Sequence, residues 1–269
     1  MAARDADAFL QWALPRLHLR WEGFRRVRGQ VIKRLERRRA ALRLPDLVAY
    51  RRWLDDHPDE WPVLDGLCRV TISRFGRDHA VWAALVGDVL PRLAREAAAA
   101  GRPAVTAWSA GAGAGEEPYT LAIAWALAIA PAAPGVAIDV LATDLDDGQL
   151  GRAAAARYPT GTLRELPAAW RAAAFDRVGD EEQLRAPFGA PVRFVRHDVR
   201  GAAPGGPFDL VLCRNLAFTY LDEPRQRAVA ATLRGALRPG GVLVVGAHER
   251  IPDGTAGLAS VARSVYLAT

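Results

Sequence analysis

The stretch W-S-A-G-A-G-A-G-E-E-P-Y, Trp108–Tyr119, decides the fold. It follows a short apolar run, A-V-T-A-W-S (104–109), and leads into an apolar helical pattern from Pro118 to about Ala130. A strand that turns through glycines into a helix is the opening of a ligand-binding α/β unit. Gly111, Gly113 and Gly115 let the loop turn tightly and let a ligand approach the backbone. Glu116 and Glu117 stand where such a loop ordinarily receives phosphate on the helix N-terminus. Two readings stay open for them. Either they complement the helix dipole, or the ligand is cationic at this point.

Downstream, apolar runs alternate with helical patterns. Strands are expected at 137–144 (A-I-D-V-L-A-T-D), 192–198 (V-R-F-V-R-H-D), 208–215 (F-D-L-V-L-C-R-N), 241–246 (G-V-L-V-V-G) and 264–269. D-D-G-Q-L-G-R-A-A-A-A-R and P-R-Q-R-A-V-A-A-T-L-R-G-A-L read as helices, the second stopped by Arg238-Pro239-Gly240-Gly241. This alternation predicts an α/β domain with a mostly parallel sheet. It breaks between Arg157 and Pro191, where an insertion with a small helix and a hairpin is expected. Upstream, residues 6–66 carry only helical spacing. R-V-T-I-S-R-F-G-R-D, 69–78, is a connector, followed by the amphipathic H-A-V-W-A-A-L-V-G-D-V-L-P-R-L-A. The expected division is a helical N-terminal domain with its connector, 1–76, and an α/β domain, 77–269, with 157–191 as an inserted subdomain.

The net charge of +6 and pI near 10 invite a nucleic-acid reading. The base is almost wholly arginine, with Lys33 the only lysine, so a chain-wide compositional bias explains it. No basic–aromatic interleaving accompanies it, and no nucleic-acid partner is expected. Between Arg16 and Arg43, eleven basic residues face two acids, Glu22 and Glu36. That stretch reads either as a solvated helix face or as a surface for an acidic partner. Cys68 and Cys213 lie in apolar contexts at no metal-ligand spacing, so buried reduced thiols and no metal are expected. No apolar run of about 18 residues exists, and the N-terminus has no apolar signal core, so a cytoplasmic protein without membrane insertion is expected.

In an open α/β sheet, ligands bind beyond the carboxyl ends of the strands. Loops 109–117, 144–147, 196–199 and 214–221 meet there. Asp144, ending a strand, is placed to accept hydrogen bonds from a ribose. A ligand with a ribose, no phosphate and a positive charge satisfies both Asp144 and the glutamates; S-adenosylmethionine is one. No Ser/His/Asp or Cys/His set is present, and His197 and His248 read as structural.

Five motifs in order carry a resemblance over about residues 25–269. W-S-A-G-A-G-A-G-E-E-P-Y-T resembles the W-S-A-G-C-S-T-G-E-E-P-Y-S of chemotaxis receptor methyltransferases (the CheR type). L-A-T-D-L-D, F-D-L-V-L-C-R-N-L, L-R-P-G-G-V-L-V-V-G-A-H-E and S-R-F-G-R-D resemble further motifs of that family. The resemblance implies a Rossmann-like class I methyltransferase sheet with a small all-helical N-terminal domain. It also implies S-adenosylmethionine as cofactor, with S-adenosylhomocysteine as product, and transfer to protein glutamates on an acidic helical surface. On the matched positions, Glu117 would hold the methionine end and Asp144 the ribose. Asp198 and Val199 would meet the adenine, Arg214 and Asn215 would line the pocket, and Thr71, Ser73 and Arg77 would close over it. Arg77 and Tyr220 are the candidates for catalytic roles, with Thr219 the alternative to Tyr220. Gly76 departs from the family's F-F-R, and C-R-N-L-A-F-T-Y-L-D is one residue longer than its counterpart. These departures keep two other readings open: the same scaffold methylating a small molecule or another protein, and a cofactor-binding module without turnover.

Overall fold

The computed structural model describes residues 3–269. The chain forms two compact units. One holds the residues up to Thr71 together with Thr219–Arg225, and the other holds Ile72–Phe218 with Gln226–Thr269. The break therefore falls five residues before the expected 76/77 boundary. Phe75 explains it: the ring is fully buried and meets Tyr158 and Phe175 edge-on at 4.8 and 5.2 Å, inside the second unit.

In the first unit, helices span Ala3–Ala13, Trp21–Phe24, Arg28–Ala41, Leu47–Asp56 and Glu60–Leu67. Asp46 caps the fourth by accepting from the Ala49 N–H at 2.7 Å, satisfying one of the free donors of a helix start. Phe9, Leu10, Phe24, Val31, Leu35 and Tyr50 are buried. Glu60 is buried too, and is held by Arg38 through two bonds (2.9 and 2.6 Å) and by the Tyr50 hydroxyl (2.7 Å). Arg38 keeps the Glu60 carboxyl below the usual range despite burial. Several arginines of the basic stretch are thus structural. Arg34 donates to the carbonyls of Leu67 and Arg69, Arg39 pairs with Glu36, and Arg28 pairs with Asp7.

The second segment of this unit is short and tightly held. Leu19 and Leu221 form an antiparallel bridge, the Arg20 N–H donates to the Tyr220 carbonyl at 2.9 Å, and Asp222 N–H donates to the His18 carbonyl at 2.9 Å. Tyr220 packs edge-on against Phe24 at 5.1 Å.

The second unit is built on strands β1 (Ala104–Ala110), β2 (Ala137–Asp144), β3 (Arg157–Pro159), β4 (Phe175–Val178), β5 (Glu181–Leu184), β6 (Val192–Arg196), β7 (Phe208–Leu212), β8 (Leu237–Val244), β9 (Leu258–Ala262) and β10 (Val265–Ala268). Seven of them form one sheet in the order β6-β2-β1-β7-β8-β10-β9. Its first five strands run parallel, and β10 is antiparallel to β8. The mostly parallel sheet expected from the alternation is present, in the Rossmann-like form that the resemblance implies. Val81, Leu85, Leu93, Leu121, Trp125 and Ile129 pack on it around Val140, Leu210 and Val242. β3, β5 and β4 form a separate three-stranded antiparallel sheet within 157–191.

Three details differ from the sequence reading. β6 and β7 end at Arg196 and Leu212, so the residues carrying chemistry stand in the loops beyond them. β8 starts at Leu237, ahead of the Pro-Gly-Gly turn. Leu237 pairs with Phe208 while Val242 pairs with Leu210, so the turn bulges out of the ladder. β9 was not expected; most of its residues are exposed, so it lacks the apolar alternation that marks a strand. Among the described residues, no helix is long and apolar enough to cross a membrane.

Gly23 lies against the 219–225 segment: a β-carbon there would stand 2.3 Å from the Thr219 carbonyl oxygen. Gly23→Ala is expected to lower stability by about 1–3 kcal/mol. Gly29→Ala, with nothing within 4 Å of the added carbon, is expected to be neutral or stabilising by up to about 1 kcal/mol. Paired thermal melts check this; equal effects of the two changes would contradict it.

Candidate functional site

β1 runs out at Ala110, and the chain turns at once. Gly111 and Ala112 both donate to the Thr143 carbonyl at the end of β2, at 2.8 and 2.9 Å. The Gly113 N–H donates to Asp144 at 2.8 Å, and the Asp146 N–H to the other oxygen of that carboxylate at 2.9 Å. Asp144 thus fixes the glycine loop before any ligand arrives. Gly111 sits at φ +81°, where a β-carbon would strike the Leu216 side chain at 2.4 Å. Only glycine fits there. The 196–199 loop joins the same edge, with the His197 N–H on the Asp144 carbonyl at 2.9 Å. The His197 ring sits 2.7 Å from the Ala202 carbonyl and edge-on to Trp108, a structural place.

Gly115 gives no side-chain cap to the helix Glu116–Ala124, so both glutamates stand in an uncapped first turn. They diverge there. Glu117 accepts from the Ser109 hydroxyl at 2.8 Å and from Arg214 at 3.0 Å. Glu116 is 3% exposed, and its Oε2 has no hydrogen-bond partner. That oxygen lies 3.9 Å from where a β-carbon on Gly113 would stand, as does the Ser73 β-carbon. Glu116 is buried and Glu117 only 12% exposed, a desolvation that the helix dipole alone does not offset.

Arg214 joins three parts of the site. Its side chain is 3% exposed and spans Glu117 and Asp78, at 3.0 and 3.1 Å, with a further bond of 2.6 Å to the Arg77 carbonyl. Asp78 also accepts from the Asn215 amide (3.3 Å) and the Ala247 N–H (3.2 Å). Glu249 accepts from the N–H groups of Asn215, Leu216 and Gly246. Two carboxylates, Glu117 and Asp78, therefore share one guanidinium, and Glu249 holds the turn that follows it.

Burial pushes the Glu117 carboxyl above its ordinary range, against the pull of Arg214 and Ser109. Burial likewise raises Glu116. For Asp78, burial opposes the charged form, but Arg214, the Ala247 N–H and the Asn215 amide prevail and hold its pKa low. Two acids share one guanidinium, so ionisation of Glu117 leaves the set with more negative than positive charge. It suits a ligand that brings positive charge.

The other expected residues are distributed as follows. Gly111, Glu117, Asp144, Arg214 and Asn215 take part in the contacts above, and Ser73 lies beside Gly113. Arg77 turns its guanidinium to the Ile72 carbonyl at 3.0 Å and contributes its own carbonyl to Arg214. Asp198 pairs with Arg200 at 2.8 Å, and Val199 stands between them in the chain. Thr71 and Tyr220 belong to the helical unit, where the Thr71 hydroxyl is 3.2 Å from Arg34. Gly76, a departure from the resemblance, has φ +69°, and a β-carbon there would meet the Glu165 carbonyl at 2.8 Å. The inserted subdomain thus requires the small residue. Ser109, Asp78 and Glu249 were not singled out as site residues. Asp78 and Glu249 lay inside recognised motifs, R-D and H-E, and chain spacing gives no hint of where they converge.

The Rossmann-like sheet and the acidic site beside its glycine loop belong to an S-adenosylmethionine-dependent methyltransferase, as the family match shows. Residues 71–266 match the family described as CheR methyltransferase, SAM binding domain. A chemotaxis protein methyltransferase of Listeria monocytogenes is 33% identical over 204 residues, 76% of this chain and 74% of that one. Chemotaxis protein methyltransferase 2 of Pseudomonas aeruginosa is 30% identical, over 88% and 83% of the two chains. A chemotaxis protein methyltransferase of Klebsiella aerogenes is 29% identical, over 99% and 93%. The chain belongs to the CheR methyltransferase family.

The raised Glu117 carboxyl has a consequence for pH. The native state holds this proton more tightly than the unfolded chain does. The stability it lends is present below the ordinary carboxylate pKa and is lost as pH rises through the raised value. Ionised Glu117 is the form that attracts a cation, so S-adenosylmethionine affinity is expected to rise as pH climbs above the ordinary carboxylate range, with proton release on binding. Calorimetry in buffers of different ionisation heat checks this. Glu117→Gln should flatten the profile and weaken binding about tenfold or more; an unaltered profile would contradict the assignment.

Proposed function

We propose that this methyltransferase esterifies glutamate side chains of a protein, with a chemotaxis receptor as the substrate class. Membership of the CheR family, whose aligned relatives are named chemotaxis protein methyltransferases, carries the reading. The chemistry agrees with the side chains present. A glutamate carboxylate is already ionised at neutral pH, with an unperturbed pKa of about 4.3. Its oxygen forms the bond to the methyl carbon as the bond from that carbon to sulfur breaks. The carboxylate and sulfonium charges cancel, and no proton is transferred. No general base is needed, and proximity and orientation supply on the order of 7–11 kcal/mol.

In this reading Glu117 meets the cationic methionine end, and Asp144, still able to accept, takes the ribose hydroxyls. Asp198 and Val199 face the adenine, and Ser73 and Thr71 close over the cofactor. Arg214 acts through Glu117, which it holds, and Asn215 fixes the adjoining turn. Arg77 orients the substrate carboxylate by exchanging its bond to the Ile72 carbonyl for one to the substrate. Tyr220 is the neighbouring substrate contact. The arginines of the helical stretch that have no structural task serve an acidic helical surface.

Incubation with methyl-labelled S-adenosylmethionine and receptor cytoplasmic fragments is expected to give a protein product that releases labelled methanol in base. A base-stable product, or label only on a small molecule, would contradict the glutamate assignment.

A further inference from the structure

We propose that Glu249 is a positioning residue of the cofactor site: it fixes the Arg214–Asn215 turn and supplies charge that favours cationic S-adenosylmethionine over its neutral-sulfur product. The inference rests on the cofactor site described above. Its basis is the convergence of three backbone donors on one buried carboxylate. Glu249 is 5% exposed. One oxygen accepts from Asn215 N–H at 2.6 Å and Gly246 N–H at 2.8 Å; the other accepts from Leu216 N–H at 3.1 Å. The Gly246 N–H lies just beyond β8, and the other two beyond β7, so Glu249 ties two neighbouring strand ends together.

The turn so held passes through a conformation that asparagine tolerates and most residues do not. Asn215 has φ +55°, a left-handed conformation that ordinary residues avoid. Its reach matters on both sides. Arg214, immediately before, holds Glu117 and Asp78, and the Asn215 amide adds a bond to Asp78. Leu216, immediately after, fills the space that Gly111 leaves open in the glycine loop. Three consecutive residues thus set the loop, the guanidinium and, through it, Glu117. Gly246 is part of the same device. A β-carbon there would stand 2.8 Å from the Glu249 oxygen and 3.0 Å from the Asn215 amide.

The second role is electrostatic. The Glu249 carboxylate acts at Glu117, where its charge adds to burial in holding that carboxyl up. The sulfonium of the methyl donor gains from it; the thioether of the product does not. A carboxylate kept only to shape the turn would weaken both ligands alike when altered.

Calorimetry with S-adenosylmethionine and S-adenosylhomocysteine separately, on the full chain, tests this. Glu249→Gln keeps the size, removes the charge and turns one acceptor into a donor. It is expected to weaken S-adenosylmethionine about tenfold. S-adenosylhomocysteine should lose about threefold less, shifting the ratio of the two affinities. Gly246→Ala, which displaces the carboxylate without removing it, should shift the ratio in the same direction, and it decides the matter if Glu249→Gln does not fold. Asp209→Asn is the control. Asp209 is another buried carboxylate, bound by Arg102 and the Thr106 N–H at the start of β7, and its loss should lower the melting temperature and leave the ratio unchanged. An equal loss for both ligands, or no loss, overturns the inference. If the wild-type chain binds neither ligand, the cofactor assignment itself fails.

Discussion

The site depends on one buried guanidinium. Arg214 is nearly inaccessible and joins Glu117 at the start of a helix to Asp78 at the end of the connector. Taking charges out of water is costly unless each finds partners, and breaking such a pair leaves an uncompensated buried charge. Without Arg214, Glu117 and Asp78 would lose the cation they share. With it, two acids are held by one guanidinium. A bound cation is then the natural complement, and the methyl donor of this family is one.

The sheet supplies the frame for that charge. Parallel pairing of β2, β1 and β7 brings the ends of three strands to one edge. The glycine loop leaves β1, is fastened to the end of β2 by Thr143 and Asp144, and is packed from the β7 side by Leu216. A dinucleotide loop would offer its helix N-terminus to a pyrophosphate. Here the first helical turn carries two largely covered carboxylates instead, so the backbone geometry is shared and the sign of the preferred ligand charge is reversed.

The α/β frame and the glycine loop of the candidate site were legible in the sequence. Strand alternation gave the parallel sheet, and the glycines followed by two acids marked the loop, with its ligand charge left between two readings. Both are local signals, read from period and neighbours. The missing parts are non-local. Exposed β9 exists because β10 offers it an edge, and no apolar pattern announces it. Asp78 and Glu249 owe their role to convergence on residues 214–216, more than thirty positions from Glu249 and more than a hundred from Asp78 in the chain. Tyr220 follows a strand of the α/β unit by a few residues, yet its carbonyl and ring are bound by Arg20 and Phe24 of the helical unit. Gly76, which looked like a loss at the substrate side, is required where the inserted subdomain's Glu165 carbonyl approaches.

The most direct test of the account is a crystal structure with S-adenosylhomocysteine bound. The account predicts its amino-acid end against Glu117 and its ribose on Asp144, with Arg214 still bridging Glu117 and Asp78. Electron density for the ligand away from the 111–117 loop, or a Glu117 carboxylate without contact to its ammonium, would contradict it.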